Sequence, residues 1–131
     1  MRCQSGRWLV ALALLTCTGG CSSAKFIQTG STHSPRAEDC HIEVFSSKTP
    51  ARAYEEIGIL EGETGPFGHS LEKVLPKMKA EACSAGGDAI ILTSRDRTMH
   101  VTGGKNTGVT SLEELNVTGT VIRWTDRTDA D

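Results

Sequence analysis

Residues 70–92 constrain the fold of this chain more than any other stretch. Ser70 supplies a helix N-cap. Leu71, Leu75, Met78 and Ala82 then recur at helical spacing and make a narrow apolar stripe, with Lys73, Lys77 and Glu81 off it. Pro76 lacks the backbone N–H that a helix interior needs, so it predicts a kink or a later helix start. Gly86-Gly87 predicts the stop, because glycine takes the left-handed backbone of a C-terminal cap at no steric cost. Asp88 leads into four apolar residues, 89–92 (AIIL). Such a run directly after a helix stop predicts a central strand buried on both faces.

The flanking segments supply the rest of a sheet. Cys40, Ile42 and Val44 alternate with His41 and Glu43, the period of a half-buried strand. Residues 46–52 carry Pro50 and read as a turn or loop. Residues 54–61 (YEEIGILE) read as a second strand with Glu55, Ile57, Ile59 and Glu61 on one side. Gly58 inside it predicts a bulge or a close backbone contact. Residues 62–69 form a glycine-containing loop. Residues 98–102 (TMHVT) predict another strand, 103–108 (GGKNTG) a flexible connection, and 115–124 (LNVTGTVIRW) a long β-branched strand. The last pairs with 98–102 as a long-looped hairpin. The order is ββαβββ, an α+β domain over residues 40–124. We expect one small mixed sheet of about five strands with one helix on one face. Residues 54–61 and 89–92 should be parallel and joined by a right-handed crossover.

The start of the chain has a different character. Arg2 and Arg7 precede an uninterrupted apolar run, residues 8–15 (WLVALALL), and small residues then lead to a cysteine: Thr18-Gly19-Gly20-Cys21. A charged start, a short apolar stretch and a small-residue cleavage site make a secretory signal, residues 1–20. The run is far too short for a permanent transmembrane helix, which needs ~20 residues. Taking Arg2 and Arg7 from 14 basic side chains leaves 12 against 16 acidic ones, a net charge of −4. That balance argues against nucleic acid as a partner and against electrostatic docking to anionic lipid.

Gly20-Cys21 resembles the end of a bacterial lipobox, whose cysteine is lipidated and becomes the new N-terminus. Thr18 departs from the usual aliphatic residue three before the cysteine. The resemblance implies a diacylglycerol thioether on Cys21 and a membrane anchor made of covalent lipid. Each buried methylene would contribute ~0.8 kcal/mol. Ser22, rather than Asp, follows the cysteine, which by resemblance to the enteric sorting rule implies the outer membrane, facing the periplasm. Residues 21–39, rich in Ser, Thr, Gly and Pro, then read as the lipidated N-terminus and a flexible tether. Residues 125–131 read as a polar tail.

Lipidation also changes the cysteine count. Of five cysteines, Cys3 and Cys17 would leave with the leader and Cys21 would take the lipid, leaving Cys40 and Cys83. An oxidising envelope compartment favours one disulfide between them, contributing about 4 kcal/mol on the chain-entropy model. The objection is geometric, because a cysteine starting a strand and one ending a helix can lie at opposite ends of a sheet. Two separate buried thiols are the alternative.

Cys40-x-Ile42-x-Val44, Tyr54-Glu55-x-Ile57-Gly58 and Lys79-Ala80-x-Ala82-Cys83-x-x-Gly86-Gly87-Asp88-Ala89-Ile90-Ile91 together resemble a small sheet-and-helix domain of uncharacterised Gram-negative lipoproteins. The stretch is also similar to the Rcs-type outer-membrane stress-sensor lipoproteins and to a family of proposed heavy-metal binders. The Rcs-type sensor has a paired-disulfide framework, and this chain leaves only two cysteines for one. The resemblance implies a fold over residues 40–94 and little about chemistry.

Candidate sites are sparse. Cys40-His41, His69 and His100 are ligand types for a soft or borderline metal, but no C-x-x-C, H-x-x-x-H or H-E-x-x-H spacing joins them. Cys83 near a helix C-terminus sits where the dipole disfavours a thiolate. Asp88 after the glycine turn reads as a partner for backbone donors. Glu55-Glu56 and Glu113-Glu114 are adjacent pairs, whose members face opposite ways on a strand. Residues 103–108 have a phosphate-loop composition without its order, and Asn116-Val117-Thr118 matches a glycosylation sequon inside a predicted strand. We therefore expect no catalytic residues, no metal and no cofactor. The expected function is that of a non-enzymatic, membrane-anchored envelope lipoprotein with a structural, accessory or sensing role through an envelope protein partner. The alternative is a small ligand- or metal-binding module of the periplasm.

Overall fold

A computed structural model describes residues 22–66, 70–105 and 107–126. The signal segment, Cys21, His69 and residues 127–131 lie outside the described residues. The architecture is α+β: a five-stranded mixed sheet with one helix on one face. The strands are β1 (Ser23–Gln28), β2 (Glu43–Phe45), β3 (Tyr54–Glu63), β4 (Ala89–Gly104) and β5 (Thr107–Trp124), and the helix is α1 (Leu71–Ser84). Their order across the sheet is β1-β3-β5-β4-β2.

The element order is βββαββ, and it corrects the expected ββαβββ at two places. Residues 23–28, expected as tether, form edge strand β1, antiparallel to β3 from Ser23 opposite Glu63 to Gln28 opposite Gly58. Ala24 and Phe26 pack against the core while Lys25 and Ile27 point the other way, so this polar segment alternates once a partner strand exists. After the helix, 89–92 and 98–102 are one strand rather than two. No glycine or proline interrupts residues 89–102, and β4 runs through them with only a register shift between Leu92 and Ser94. β5 likewise starts at Thr107, before the expected 115. Residues 98–102 therefore pair with 110–114, and residues 115–122 pair with 89–97. β3 and β4 do run in one direction, but β5 lies between them, and the direct parallel pair is β2 with β4.

The core lies between α1 and the sheet. Val74, Met78, Ala82 and Cys83 are buried on the helix, against Ile57, Leu60, Ile90, Val117 and Val121. Val74 therefore takes the place expected of Leu75, which is only half-buried. Positions 74, 78 and 82 lie one above another on a single helix face. Ser70 Oγ accepts the Glu72 N–H at 3.2 Å, so the helix begins where its cap predicts and Pro76 lies inside it. In β3 the expected common face of Glu55, Ile57, Ile59 and Glu61 is broken by a bulge between Glu56 and Gly58. Ile57 enters the core and Ile59 faces out. Gly58 also admits Phe26: a Cβ there would lie 2.3 Å from the ring.

Candidate functional site: an uncovered sheet face and a projecting hairpin

The helix C-terminus is the most constrained part of the molecule. Gly86 has φ +80°, and the Gly86 and Gly87 N–H groups donate to the carbonyls of Cys83 (3.0 Å) and Ala82 (2.8 Å). This is a Schellman cap, as the Gly-Gly pair predicts. Two cations add to it. Arg36 Nη1 donates to Gly87 O at 2.8 Å and pairs with Asp88 Oδ1 at 3.0 Å, and Arg123 Nη1 donates to Gly86 O at 3.1 Å. Positive charge is favoured at this end of a helix dipole. Asp88 Oδ2 accepts the Trp124 N–H at 3.0 Å, the backbone-satisfying role its position suggests. Arg36 falls in the expected tether, where composition gave no sign of such a role.

Cys40 and Cys83 are joined by a disulfide, with Cα atoms 5.9 Å apart. The geometric objection fails because β2 runs parallel to β4, and β4 starts just after the helix ends. The start of β2 and the end of α1 thus share one end of the sheet. The bond leaves neither sulfur as a thiol for nucleophilic or metal chemistry. Among the described residues no group of three His, Cys, Asp or Glu stands close enough to hold a metal ion. His41 is exposed. His100 sits far from the disulfide, its Nε2 3.3 Å from Glu114 Oε2. Glu55 faces His33, with 2.8 Å between Oε1 and Nε2, while the adjacent Glu56 is exposed.

No second layer covers the other face of the sheet among the described residues. One row across it is apolar: Ile27, Ile59, Thr120, Ile91 and Phe45 are successive cross-strand neighbours. Ile27 and Ile59 are 37% and 39% exposed. Toward one end, Phe45 and Tyr54 stand edge-on to Trp124, and the Arg52 guanidinium lies 4.8 Å above the indole. Arg52 is also paired with Asp126 at 2.6 Å, whose carboxyl is held below its usual range by that hydrogen bond. Toward the other end the face turns polar, with Lys25, Glu61, Glu63, Thr118 and Asn116.

At that polar end the sheet narrows to two strands. Ser23, Glu63, Asn116 and Asp96 form the last row that spans four. Thr64 closes it: its N–H donates to Leu115 O at 3.0 Å and its Oγ1 accepts the Leu115 N–H at 2.9 Å. Beyond, residues 98–104 and 107–114 pair only with each other. At ~3.4 Å per residue this makes an arm about 25 Å long. Met99 and Val101 on it are 64% and 66% exposed. At its base Glu63 hydrogen-bonds to Glu114, which holds the Glu63 carboxyl above its usual range. Asn116, in the sequon, lies there with Nδ2 3.5 Å from Thr98 Oγ1. The glycine-rich stretch 103–108 falls at the tip of this arm, where Gly104 pairs with Thr107, and β5 rather than a helix follows it.

Among the described residues the candidate site is thus a surface rather than a cleft with converging reactive groups. Compared with known proteins, the chain matches no family model, no curated protein and no solved structure.

Proposed function

We propose that this chain is an envelope lipoprotein, cleaved before Cys21, anchored by lipid on that cysteine, and acting without catalysis by contact with another envelope protein. The observation that carries the reading is the leader ending in Thr18-Gly19-Gly20-Cys21. The Cys40–Cys83 disulfide supports it, because such bonds persist in oxidising compartments. The row running from exposed Ile27 and Ile59 to half-buried Ile91 and Phe45 is the surface that a partner would use, rimmed by Lys25, Glu61 and Glu63. Ser22 after the cysteine favours the outer membrane.

Two experiments test the two halves. Globomycin treatment and a Cys21→Ser variant should each abolish lipidation and leave unprocessed or unanchored protein. Normal processing under both would remove the anchor reading. A photo-crosslinking residue at Ile59 should capture one envelope protein, and the same residue at exposed Glu72 on the helix should not. Equal capture at both positions, or none, would remove the docking face.

A further inference from the structure

We infer that the hairpin arm, residues 98–112, is a membrane-contacting element that lies along the lipid headgroup region beside the anchor. The inference rests on the proposed lipidation of Cys21 and concerns what that anchor does to the domain. In place of a tether of some twenty residues, only Ser22 separates Cys21 from β1. Ser22 is itself fixed to the helix: its Oγ donates to Lys73 O at 3.3 Å, and Lys77 Nζ donates to its carbonyl. A peptide bond places the Cys21 Cα about 3.8 Å from that of Ser22. A lipid on Cys21 therefore holds the body of the domain against the bilayer.

The direction follows from the register. Ser23 starts β1 in the row with Glu63, Asn116 and Asp96, and the arm continues past that row on the side from which Ser22 enters β1. Anchor and arm leave the sheet by one end. An arm about 25 Å long pointing straight down would pass through one leaflet's hydrocarbon, ~15 Å thick as half of a ~30 Å core. Its two open edges forbid that, since lipid tails cannot bond free backbone groups. The sheet must recline, and the arm comes to rest in the headgroup layer.

The arm's composition suits that layer. Although the chain carries 16 acids, residues 98–112 contain none, and the positive charge there is Lys105. Four of its fifteen residues are threonines, and Met99 and Val101 offer their side chains outward. Headgroups can bond the free strand edges while the two apolar side chains enter the upper acyl region. The net acidity of the whole domain hides this local exception.

The test uses the processed, lipidated chain in vesicles of phosphatidylcholine and phosphatidylglycerol with brominated acyl chains. An environment-sensitive fluorophore is placed on Val101→Cys and, separately, on Thr125→Cys at the other end of β5. Both native positions are exposed. Flotation of the same vesicles reports the anchor independently. The expected result is flotation of both labelled proteins, with a blue shift and severalfold greater quenching at 101 than at 125. Flotation with equal quenching, or none, overturns the arm inference and leaves the anchor intact. Failure to float overturns the anchor reading and this inference with it. A second variant, Met99→Asp with the label at 101, should lower the quenching without releasing the protein. Unchanged quenching there would deny Met99 its role.

Discussion

β4 and β5 contain two different environments within one hydrogen-bonded ladder. At one end, Ala89, Ile90, Leu92, Val117, Val121 and Ile122 are buried under the helix or the aromatic cluster. At the other, residues 93–104 of β4 are exposed throughout. The ladder is continuous across both, so strand pairing does not set the difference. What differs is the number of neighbours: β3, β2 and α1 flank the first half, and among the described residues no strand or helix flanks the ladder beyond the row of Asp96. Two strands alone are marginal in water, whereas a sheet with a covered face is not. The body therefore carries the stability, and the arm is free to serve as a surface.

This contrast can be broken from either side. The largest expected effect is removal of the disulfide. Cys40→Ser with Cys83→Ser should destabilise the domain by about 4 kcal/mol in urea unfolding. Met78→Ala, emptying a fully buried site between helix and sheet, should cost about 3 kcal/mol by the same measurement. Asp88→Ala removes the ion pair to Arg36 and leaves the Trp124 N–H without its acceptor. It should cost about 2 kcal/mol and speed amide exchange at Trp124. Val101→Thr on the arm should change global stability by less than about 0.5 kcal/mol. A larger loss would mean that the arm supports the body after all.

The smallest effect is electrostatic and sits at the junction. Glu63 has its carboxyl raised by a hydrogen bond to Glu114, then by that group's charge. Its folded pKa lies above the unfolded one, so the folded state holds the proton longer. The contact is present at low pH and is lost as pH rises through the raised value. Both groups are close to water, so the effect should be local. NMR titration should show a step shared by the amides of residues 63 and 114, and Glu63→Gln should remove that shared step. A step at residue 114 unaltered by the substitution would separate the two groups.

Where the sequence was readable, the signal was local. Gly86-Gly87 and the AIIL run needed only their own backbone preferences to announce a cap and a central strand, and Gly58 announced its bulge. β1 was hidden because only Ala24 and Phe26 mark its inner face, too few for alternation to rise above a polar stretch. The disulfide was undecidable because the parallel placement of β2 is a long-range fact. Ile59 was misplaced because a bulge inverts every face beyond it. The arm was half legible: residues 98–102 looked like a strand, but alternation does not say whether anything covers it. Among the site residues, Asp88 could be assigned from position alone. Arg36 and Arg123 could not, since an arginine far from a helix in sequence carries no mark that it caps one.

The antiparallel pairing of β1 with β3 also governs how the domain answers force. A pull applied at residue 22 along the strand axis, away from the body, does not peel one backbone bond after another. It loads six residue pairs together, from Ser23 opposite Glu63 to Gln28 opposite Gly58, in the manner of a lap joint. Tension entering at the chain's described N-terminal end thus meets the sheet in shear, with Phe26 wedged against Gly58 near the far end of the joint.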